Sequence, residues 1–189
     1  MSVKPDSWIR AMALDPDVRM IEPFSERVAG ENTVSYGLQP HGYDARLRPD
    51  IKVLNDALTA GKEFDPLDPQ REARFYFEQS ANPYYCIPPH GLVIARTIER
   101  FRIPRDCSAR AFPKNIYSSI GINLLLAGIT AGWEGHLKIS ISNATQIPVR
   151  IYGKMGILYL EFETVDGQIE LDYSELQGTR FQEEASPRR

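Results

Sequence analysis

The chain contains Pro-Lys-Asn-Ile-Tyr-Ser-Ser-Ile-Gly at residues 113–121 and Ala-Gly-Trp-Glu-Gly-His-Leu-Lys-Ile-Ser-Ile-Ser-Asn at residues 131–143. The length and apolar content of residues 116–129 predict a strand that follows a short helical turn. The turn at residues 132–135 then lets the strand at residues 137–141 pair back against it as a hairpin. We therefore expect the two quoted stretches to face each other.

Most of the remaining chain has the pattern of β-strands. From Thr33 onward it consists of short runs rich in Val, Ile, Tyr and Phe, separated by Gly, Pro and Asp. Such runs predict strands at residues 74–79, 91–100, 135–142, 149–152, 156–164 and 168–173. The fold class predicted from these residues is a mainly β sandwich or barrel.

Three segments lie outside this strand pattern. Apolar residues at helical spacing predict one short N-terminal helix over Asp6–Ala13. Residues 54–71 are polar and contain two prolines, which indicates a surface excursion between strands. The tail from Glu175 onward has few large apolar residues, so we expect it to be mobile unless it docks on a ligand or a neighbouring subunit.

Composition limits the protein's size class and partners. With 189 residues, of which 42% are hydrophobic, the chain is predicted to form a single domain over residues 1–174, followed by the tail at 175–189. The formal charge of −3 gives no general attraction to a nucleic-acid polymer or an anionic membrane, so a small-molecule ligand is favoured.

The two cysteines and the first residues of the chain indicate in which cellular compartment the protein works. Cys86 and Cys107 have no metal-binding spacing, and we expect both to be reduced and semi-buried. The first residues are polar, and no apolar run is long enough to span a membrane. These features predict a cytoplasmic protein.

Several segments in order resemble the dCTP deaminase branch of the dUTPase superfamily. They are Ser35–Leu38, Gly42–Arg46, Ile87–Pro89, Ala95–Thr97, Phe101–Arg105, Gly132–His136 and Ser142–Asn143. The resemblance implies a distorted β-barrel, dUTPase-like and jelly-roll-like, with one short N-terminal helix and a few helical turns. It also implies a homotrimer with active sites at subunit interfaces. The implied reaction is hydrolytic deamination of dCTP to dUTP with no tightly bound cofactor, and Mg²⁺ accompanies the triphosphate.

The resemblance also assigns positions to the catalytic groups. The glutamate that the family uses to activate water corresponds to Ser140. In the family's phosphate loop, Asn115 takes the place of the first serine and Ser119 that of an arginine. A serine hydroxyl is not a useful base at neutral pH, so we predict that dCTP deamination is undetectable or very slow.

The same resemblance gives the substrate-binding positions. They are Lys114, Ser118, Thr130, Lys138, Ile139, Tyr173, Arg180 and Gln182. Thr130 replaces a carboxylate that serves triphosphate hydrolysis in bifunctional members. No residue is assigned to a resident metal.

Four other features have a structural and a functional interpretation. His136 and Glu134 flank the Gly-Trp turn and are candidate acid–base groups, although structural roles are favoured. Asp44 and Arg46 are interpreted as partly buried structural charges in an Asp–Arg pairing across the barrel or the trimer. Residues 124–126, Leu-Leu-Leu, form either ordinary core or an apolar pocket wall.

Two functional alternatives to a weak deaminase stay open. One is a non-catalytic trimer that binds a nucleotide or a partner protein. The other is a pocket repurposed for a different, less polar substrate in a specialised biosynthetic pathway, since a fold does not fix a function.

Overall fold

The computed structural model describes residues 2–126, 128–171 and 173, with Asp56 described by its backbone alone. The helices are α1 (Asp6–Leu14), α2 (Asp56–Thr59), α3 (Arg71–Phe75) and α4 (Asn115–Ser118). The strands are β1 (Ile21–Glu22), β2 (Val28–Gly30), β3 (Thr33–Gln39), β4 (Gly42–Arg46), β5 (Asp50–Leu54), β6 (Tyr76–Ser80), β7 (Tyr84–Ile87), β8 (Leu92–Arg102), β9 (Cys107–Pro113), β10 (Ile122–Leu125), β11 (Glu134–Asn143), β12 (Val149–Tyr152) and β13 (Gly156–Thr164).

The described strands form antiparallel sheets, which confirms the mainly β prediction. The largest has the order β10-β11-β8-β5-β6, with β1 also paired to β8. A second sheet has the order β2-β3-β4-β13-β9, and β12 pairs with β7. Over the residues that the structure describes, the sheets do not close into one continuous barrel, in agreement with a distorted dUTPase-like fold.

The predicted antiparallel pairing is present, but residues 126–139 separate its last paired positions, so the turn at residues 132–135 does not close it. β10 and β11 are antiparallel, with Leu125 opposite Ser140 and Ile122 opposite Asn143. Gly121, which precedes β10, has a φ of 81°, and a Cβ atom there would meet the side chain of Thr145. Its carbonyl accepts a hydrogen bond from the amide of Ala144 at 2.9 Å. Glycine is therefore needed where the two quoted stretches meet.

Alternation along β11 separates the core from the outer face of the six-stranded sheet. Its odd-numbered residues are buried, and Ile139 and Ile141 have no exposed surface. Burying a large apolar side chain contributes about 1.5–3 kcal/mol, so this pattern fixes which face points inward. The even-numbered residues His136, Lys138, Ser140 and Ser142 consequently lie on the outer face.

Two segment predictions have different outcomes. Residues 55–75 lie between β5 and β6, as the predicted excursion requires, and they contain α2 and α3. The strand predicted at residues 168–173 is wrong, because residues 168–171 form no strand. Their alternation buries neither face, since Ile169 is half-buried and Leu171 is 67% exposed. The predicted tail at 175–189 lies outside the described residues.

Among the described residues, no helix is long and apolar enough to cross a membrane.

The cysteines are not both semi-buried, which corrects the prediction. Cys86 is exposed on β7, whereas Cys107 is buried on β9, where desolvation raises its thiol pKa to about 11. We expect iodoacetamide to alkylate Cys86 alone in the native protein at neutral pH, because the thiolate is the reactive form. Mass spectrometry after native and denaturing treatment checks this. Cys86→Ser should abolish native labelling, and rapid native labelling of Cys107 would contradict the expectation.

Candidate functional site

A groove of about 790 Å³ opens beside the five-stranded sheet. Its volume lies within the range of about 300–1,000 Å³ that is usual for small-molecule sites. The lining includes Arg27, Ser35, Asp44, Lys114, Asn115 and Tyr159. Two predicted site residues, Lys114 and Asn115, therefore share a concave surface with charged and polar groups from β3 and β4.

Lys114 is held at the wall of this groove by Asp44. The Lys114 ammonium forms an ion pair with the Asp44 carboxylate and donates to Ser35 Oγ at 3.3 Å. The two charged side chains are only 12% and 6% exposed. Burial raises the pKa of Asp44, and Lys114 partly offsets that effect. An incoming anion therefore meets a lysine whose charge is already compensated.

The position of Lys114 depends on close packing between the backbones of neighbouring strands. Lys114 directly precedes α4 and follows β9, which pairs with β13. Gly156 at the start of β13 lies against the carbonyl of Ser35, and a Cβ atom there would also approach Lys114 Cδ at 3.2 Å. Glycine at this position lets β3, β13 and the lysine stem approach one another.

The serines of the phosphate loop form local hydrogen bonds. The hydroxyl of Ser118 donates to the carbonyl of Asn115, and the hydroxyl of Ser119 donates to the carbonyl of Ile116, each at 3.3 Å. Both residues are exposed, beyond the groove lining. Tyr117 anchors α4 in the core, where desolvation raises its pKa to about 12.

Ser140 lies on a different surface. It occupies the outer face of the six-stranded sheet, opposite Leu125 on β10 and Ile94 on β8. It does not line the groove beside Lys114. The neighbouring predicted residue Ile139 points into the core and has no exposed surface. Within one chain, the predicted catalytic positions therefore fall on two surfaces.

Lys138, on the same face as Ser140, pairs with Glu72 of α3. Lys52 on β5 lies 3.6 Å from the other carboxylate oxygen of Glu72. Burial alone would raise the pKa of Glu72, but Lys138 and Lys52 outweigh it and hold that pKa below 4.5. Glu72 gave no signal in the sequence, where it lies 66 positions from Lys138 and one position beyond the predicted excursion.

The Gly-Trp turn brings two other predicted residues together. Thr130 is exposed, and its carbonyl accepts from the amide of Trp133 at 3.2 Å. Tyr173 donates its backbone amide to the carbonyl of Ala131 at 3.0 Å, which places it beside this turn. The remaining predictions, Arg180 and Gln182, lie outside the described residues.

The candidate acid–base groups near the turn have structural partners. Glu134 accepts from Arg102 Nε at 2.6 Å and lies 3.2 Å from the Arg100 guanidinium. His136 Nδ1 lies 3.1 Å from the carbonyl of Thr97 and 3.2 Å from that of Glu99. Because both partners are acceptors, Nδ1 carries the proton. These contacts favour the structural interpretation of both residues.

The charges on β4 also have structural partners. Arg46 Nε donates to Glu99 at 2.6 Å, and its backbone amide donates to the other carboxylate oxygen at 2.8 Å. Within one chain Asp44 pairs with Lys114 instead of an arginine, so the predicted Asp–Arg pairing across the barrel is not formed.

Leu124–Leu126 divides between core and surface. Leu124 and Leu126 pack against the core, as the ordinary interpretation requires. Leu125 is 61% exposed and lies opposite Ser140. Within the described part of the chain, no group of three or more His, Cys, Asp or Glu side chains could hold a metal ion.

Comparisons with known proteins agree with this architecture. The family model described as dCTP deaminase-like matches residues 3–165. A dCTP deaminase of Chloroflexus aggregans is 38% identical over 94% of this chain and 92% of its own length. A dCTP deaminase of Sulfurovum sp. is 36% identical over 94% of this chain and 91% of its own.

A solved structure shares the fold. The crystal structure of 2'-deoxycytidine 5'-triphosphate deaminase from Agrobacterium tumefaciens superposes with a TM-score of 0.65 at 20% identity. The match covers 86% of this chain and 48% of that one, so this chain spans about half the length of that protein. Fold, sequence and family model agree, and the chain belongs to the dCTP deaminase-like family.

Proposed function

We propose that this protein binds a pyrimidine deoxynucleoside triphosphate and deaminates dCTP far more slowly than a relative with a catalytic glutamate. The observation that carries the proposal is the contrast between two positions. Lys114 lies in a groove of suitable size, whereas Ser140 occupies the position that the family resemblance assigns to the base. We therefore expect the protein to keep nucleotide binding but to lack efficient deamination.

The reaction explains why this serine matters. Water must lose a proton as it attacks C4 of cytosine, and the exocyclic nitrogen must gain one before it leaves as ammonia. General acid–base catalysis contributes about 10²–10⁴-fold to such steps. The strand neighbours of Ser140 on this face are Leu125 and Ile94, and neither side chain is a carboxylate. The carboxylate of Glu72, which also reaches this face, is held in ion pairs by Lys138 and Lys52. Hydroxyl groups do not activate water unless a base assists them.

Phosphate binding is assigned to the groove. Arg27 supplies positive charge there, and Lys114 offers ammonium donors whose charge Asp44 already compensates. Asp44 and Ser35 supply oxygen atoms. Mg²⁺ prefers oxygen ligands and usually arrives with substrate phosphates, so these oxygens fit a magnesium–nucleotide complex. The magnesium would offset repulsion between the triphosphate and Asp44, while Lys114 orients the phosphates.

A homotrimer would complete the site. The groove and the Ser140 face lie on different surfaces of one chain, and an interface between chains can bring such surfaces together. Three exposed apolar residues near both surfaces support this assembly: Ile116 is 54%, Ile120 47% and Leu125 61% exposed. Contact between chains would cover these side chains if they form one continuous apolar patch, which is the kind of surface that marks an interaction site. We assign this activity to the cytoplasm, with no nucleic-acid polymer or membrane as partner.

A second candidate is a pocket for a less polar ligand. The exposed Leu125 beside Ser140 favours it, because an apolar wall rewards apolar ligand surface. That candidate predicts no binding of dCTP, dUTP, dTTP or CTP.

Calorimetry with these four nucleotides and Mg²⁺, together with an ammonia-release assay, tests the proposal. We expect dCTP to bind, and turnover to lie at least about 100-fold below that of a dCTP deaminase relative. The double variant Asp44→Asn, Lys114→Met should bind dCTP about tenfold more weakly than Asp44→Asn alone, because it loses the charge-assisted contact of Lys114 with the phosphates. The Asp44→Asn background ensures that no buried carboxylate is left without its partner. Lys62→Met, an exposed site, is the control. Ordinary turnover, or no nucleotide binding, would contradict the proposal.

A further inference from the structure

We propose that the groove beside Lys114 continues into a subsite for a purine base, with Phe112 and Tyr159 as its floor. The ligand is a purine nucleoside phosphate whose ring carries an exocyclic amine, and it competes with dCTP. The inference rests on the proposed function, because it uses the same phosphate-binding groups at Lys114. It adds a ligand class to that function, since the base of dCTP is assigned to the Ser140 face and not to this end of the groove.

Strand register puts the aromatic floor beside the charge pair of the groove. Tyr159 on β13 pairs with Asp44 on β4 and with Phe112 on β9, so the three side chains form a row on one face of the five-stranded sheet. Adjacent strands are about 4.8 Å apart, so the row spans about 10 Å. All three residues line the groove. Because Asp44 also pairs with Lys114, the floor begins directly beside the phosphate-binding groups.

The two rings of the floor have fixed positions. The ring of Tyr159 lies over Gly42 of β4, where a Cβ atom would come within 2.4 Å of it, and its hydroxyl donates to the carbonyl of His41 at 3.2 Å. Phe112 lies alongside, with ring centroids 6.4 Å apart and an angle of 34° between the ring planes. Phe112 is 40% exposed, so a ligand in the groove can reach its ring. Two neighbouring rings make a wider floor than one, which favours a fused two-ring base.

An acceptor lies at the far end of this floor. Glu161 follows Tyr159 by two residues on β13, so its side chain lies on the same face about 7 Å further along the strand. This side chain is 24% exposed, and one of its carboxylate oxygens lies 3.7 Å from His41 Nε2. Arg110 stands opposite Glu161 on β9 and pairs with Glu163 at 3.1 Å. A carboxylate has about four acceptor positions, so Glu161 can also accept from the exocyclic amine of a base.

The order of groups along the groove matches the parts of a nucleotide. Donors for phosphate lie at Lys114, the aromatic floor follows, and the carboxylate of Glu161 comes last. Stacking of a base on an aromatic side chain typically raises affinity by about 5- to 150-fold. The amine of adenine donates toward Glu161, whereas a carbonyl in its place would bring two acceptors together. The groove therefore favours a purine with an exocyclic amine.

Calorimetry with three probes and Mg²⁺ tests the subsite: adenosine triphosphate (ATP), inosine triphosphate and inorganic triphosphate. We expect ATP to bind about tenfold more tightly than inorganic triphosphate, through stacking. ATP should also bind more tightly than inosine triphosphate, in which a carbonyl replaces the amine. Glu161→Gln should remove this preference, because an amide donates as well as accepts.

A substitution in the floor separates stacking from phosphate binding. Phe112→Leu should weaken ATP binding about tenfold and leave the binding of inorganic triphosphate unchanged, because only the ring is lost. Unchanged binding of inorganic triphosphate also shows that the groove still folds. Phe77→Leu is the matched control, since Phe77 is 42% exposed but lies on β6 in the other large sheet.

Competition with dCTP completes the test, and ATP should displace dCTP from the wild-type protein. The inference alone is overturned if dCTP and inorganic triphosphate bind but ATP binds no more tightly than inorganic triphosphate. It is also overturned if Phe112→Leu weakens ATP binding no more than Phe77→Leu does, or if ATP and dCTP bind at the same time. Binding of ATP without binding of dCTP would contradict the proposed function alone, and failure of every triphosphate to bind would overturn both.

Discussion

Replacing Arg46 with methionine is expected to lower the free energy of unfolding by about 3–5 kcal/mol, the usual cost of leaving a buried charge without its partner. Glu99 has no exposed surface, and both of its carboxylate oxygens accept hydrogen bonds from Arg46. Methionine preserves most of the aliphatic stem of Arg46 but supplies no charge. Equilibrium unfolding in urea, followed by circular dichroism, measures the loss.

The pair also supports the turn that precedes β11. Glu99 lies where the β8–β11 register shifts, and its carbonyl is within hydrogen-bond distance of His136 Nδ1. The hydroxyl of Thr97 donates to that same carbonyl at 2.7 Å and accepts from the amide of Leu137 at 2.9 Å. Disruption of Arg46 and Glu99 should therefore spread to the Gly-Trp turn.

The pH dependence has a defined sign. Burial raises the pKa of Glu99 above 4.5, although Arg46 opposes the shift. A carboxyl group with a raised folded-state pKa stabilises most when protonated, and that contribution is lost as pH rises through the folded pKa. Without Arg46 this loss should grow, so Arg46→Met should be relatively less destabilised in mildly acid solution than at neutral pH.

The double variant Arg46→Met, Glu99→Met is the control. It removes both charges from the interior, so it should be more stable than Arg46→Met alone. A loss below about 1 kcal/mol for Arg46→Met, typical of a surface pair, would contradict the argument.

The sequence predicted strands correctly where an apolar run ended at a proline or a glycine. β12 and β13 have the predicted bounds, Val149–Tyr152 and Gly156–Thr164, because Pro148 and Gly153 interrupt their apolar runs. The same reasoning failed at residues 168–173, where alternation exists without a neighbouring strand to pair with. Period alone predicts which side chains share a face, and pairing decides whether a strand forms.

The charges of the site were less predictable. The sequence identified Lys114 as a candidate but gave no indication that Asp44, 70 positions away, would neutralise it. Glu72 and Lys138 are likewise distant in sequence. Such pairs depend on how the sheets and the excursion pack, which local periodicity does not describe. They are also the contacts that determine what charge a ligand meets.

Ser140→Glu combined with Ser119→Arg is expected to raise dCTP deamination by about 10²–10⁴-fold, the usual contribution of a positioned general base. This expectation follows from our proposal that these positions hold the family's glutamate and arginine. The partly buried position 140 lies between Leu125 and Ile94, whose apolar surfaces would raise the pKa of a new carboxylate. Lys138, two residues earlier on the same face, would oppose that shift.

Ser142→Glu with Ser119→Arg is the matched control for this experiment. Ser142 lies on the same face of β11, one strand repeat beyond Ser140, and pairs with Asn123 and Leu92. The control therefore adds the same charges to the same surface but moves the carboxylate by about 7 Å along the strand. Because a general base must reach within hydrogen-bond distance of the attacking water, only the position-140 variant should release ammonia from dCTP. A folded position-140 variant that binds dCTP yet stays inert would show that the water-activating position lies elsewhere in the site.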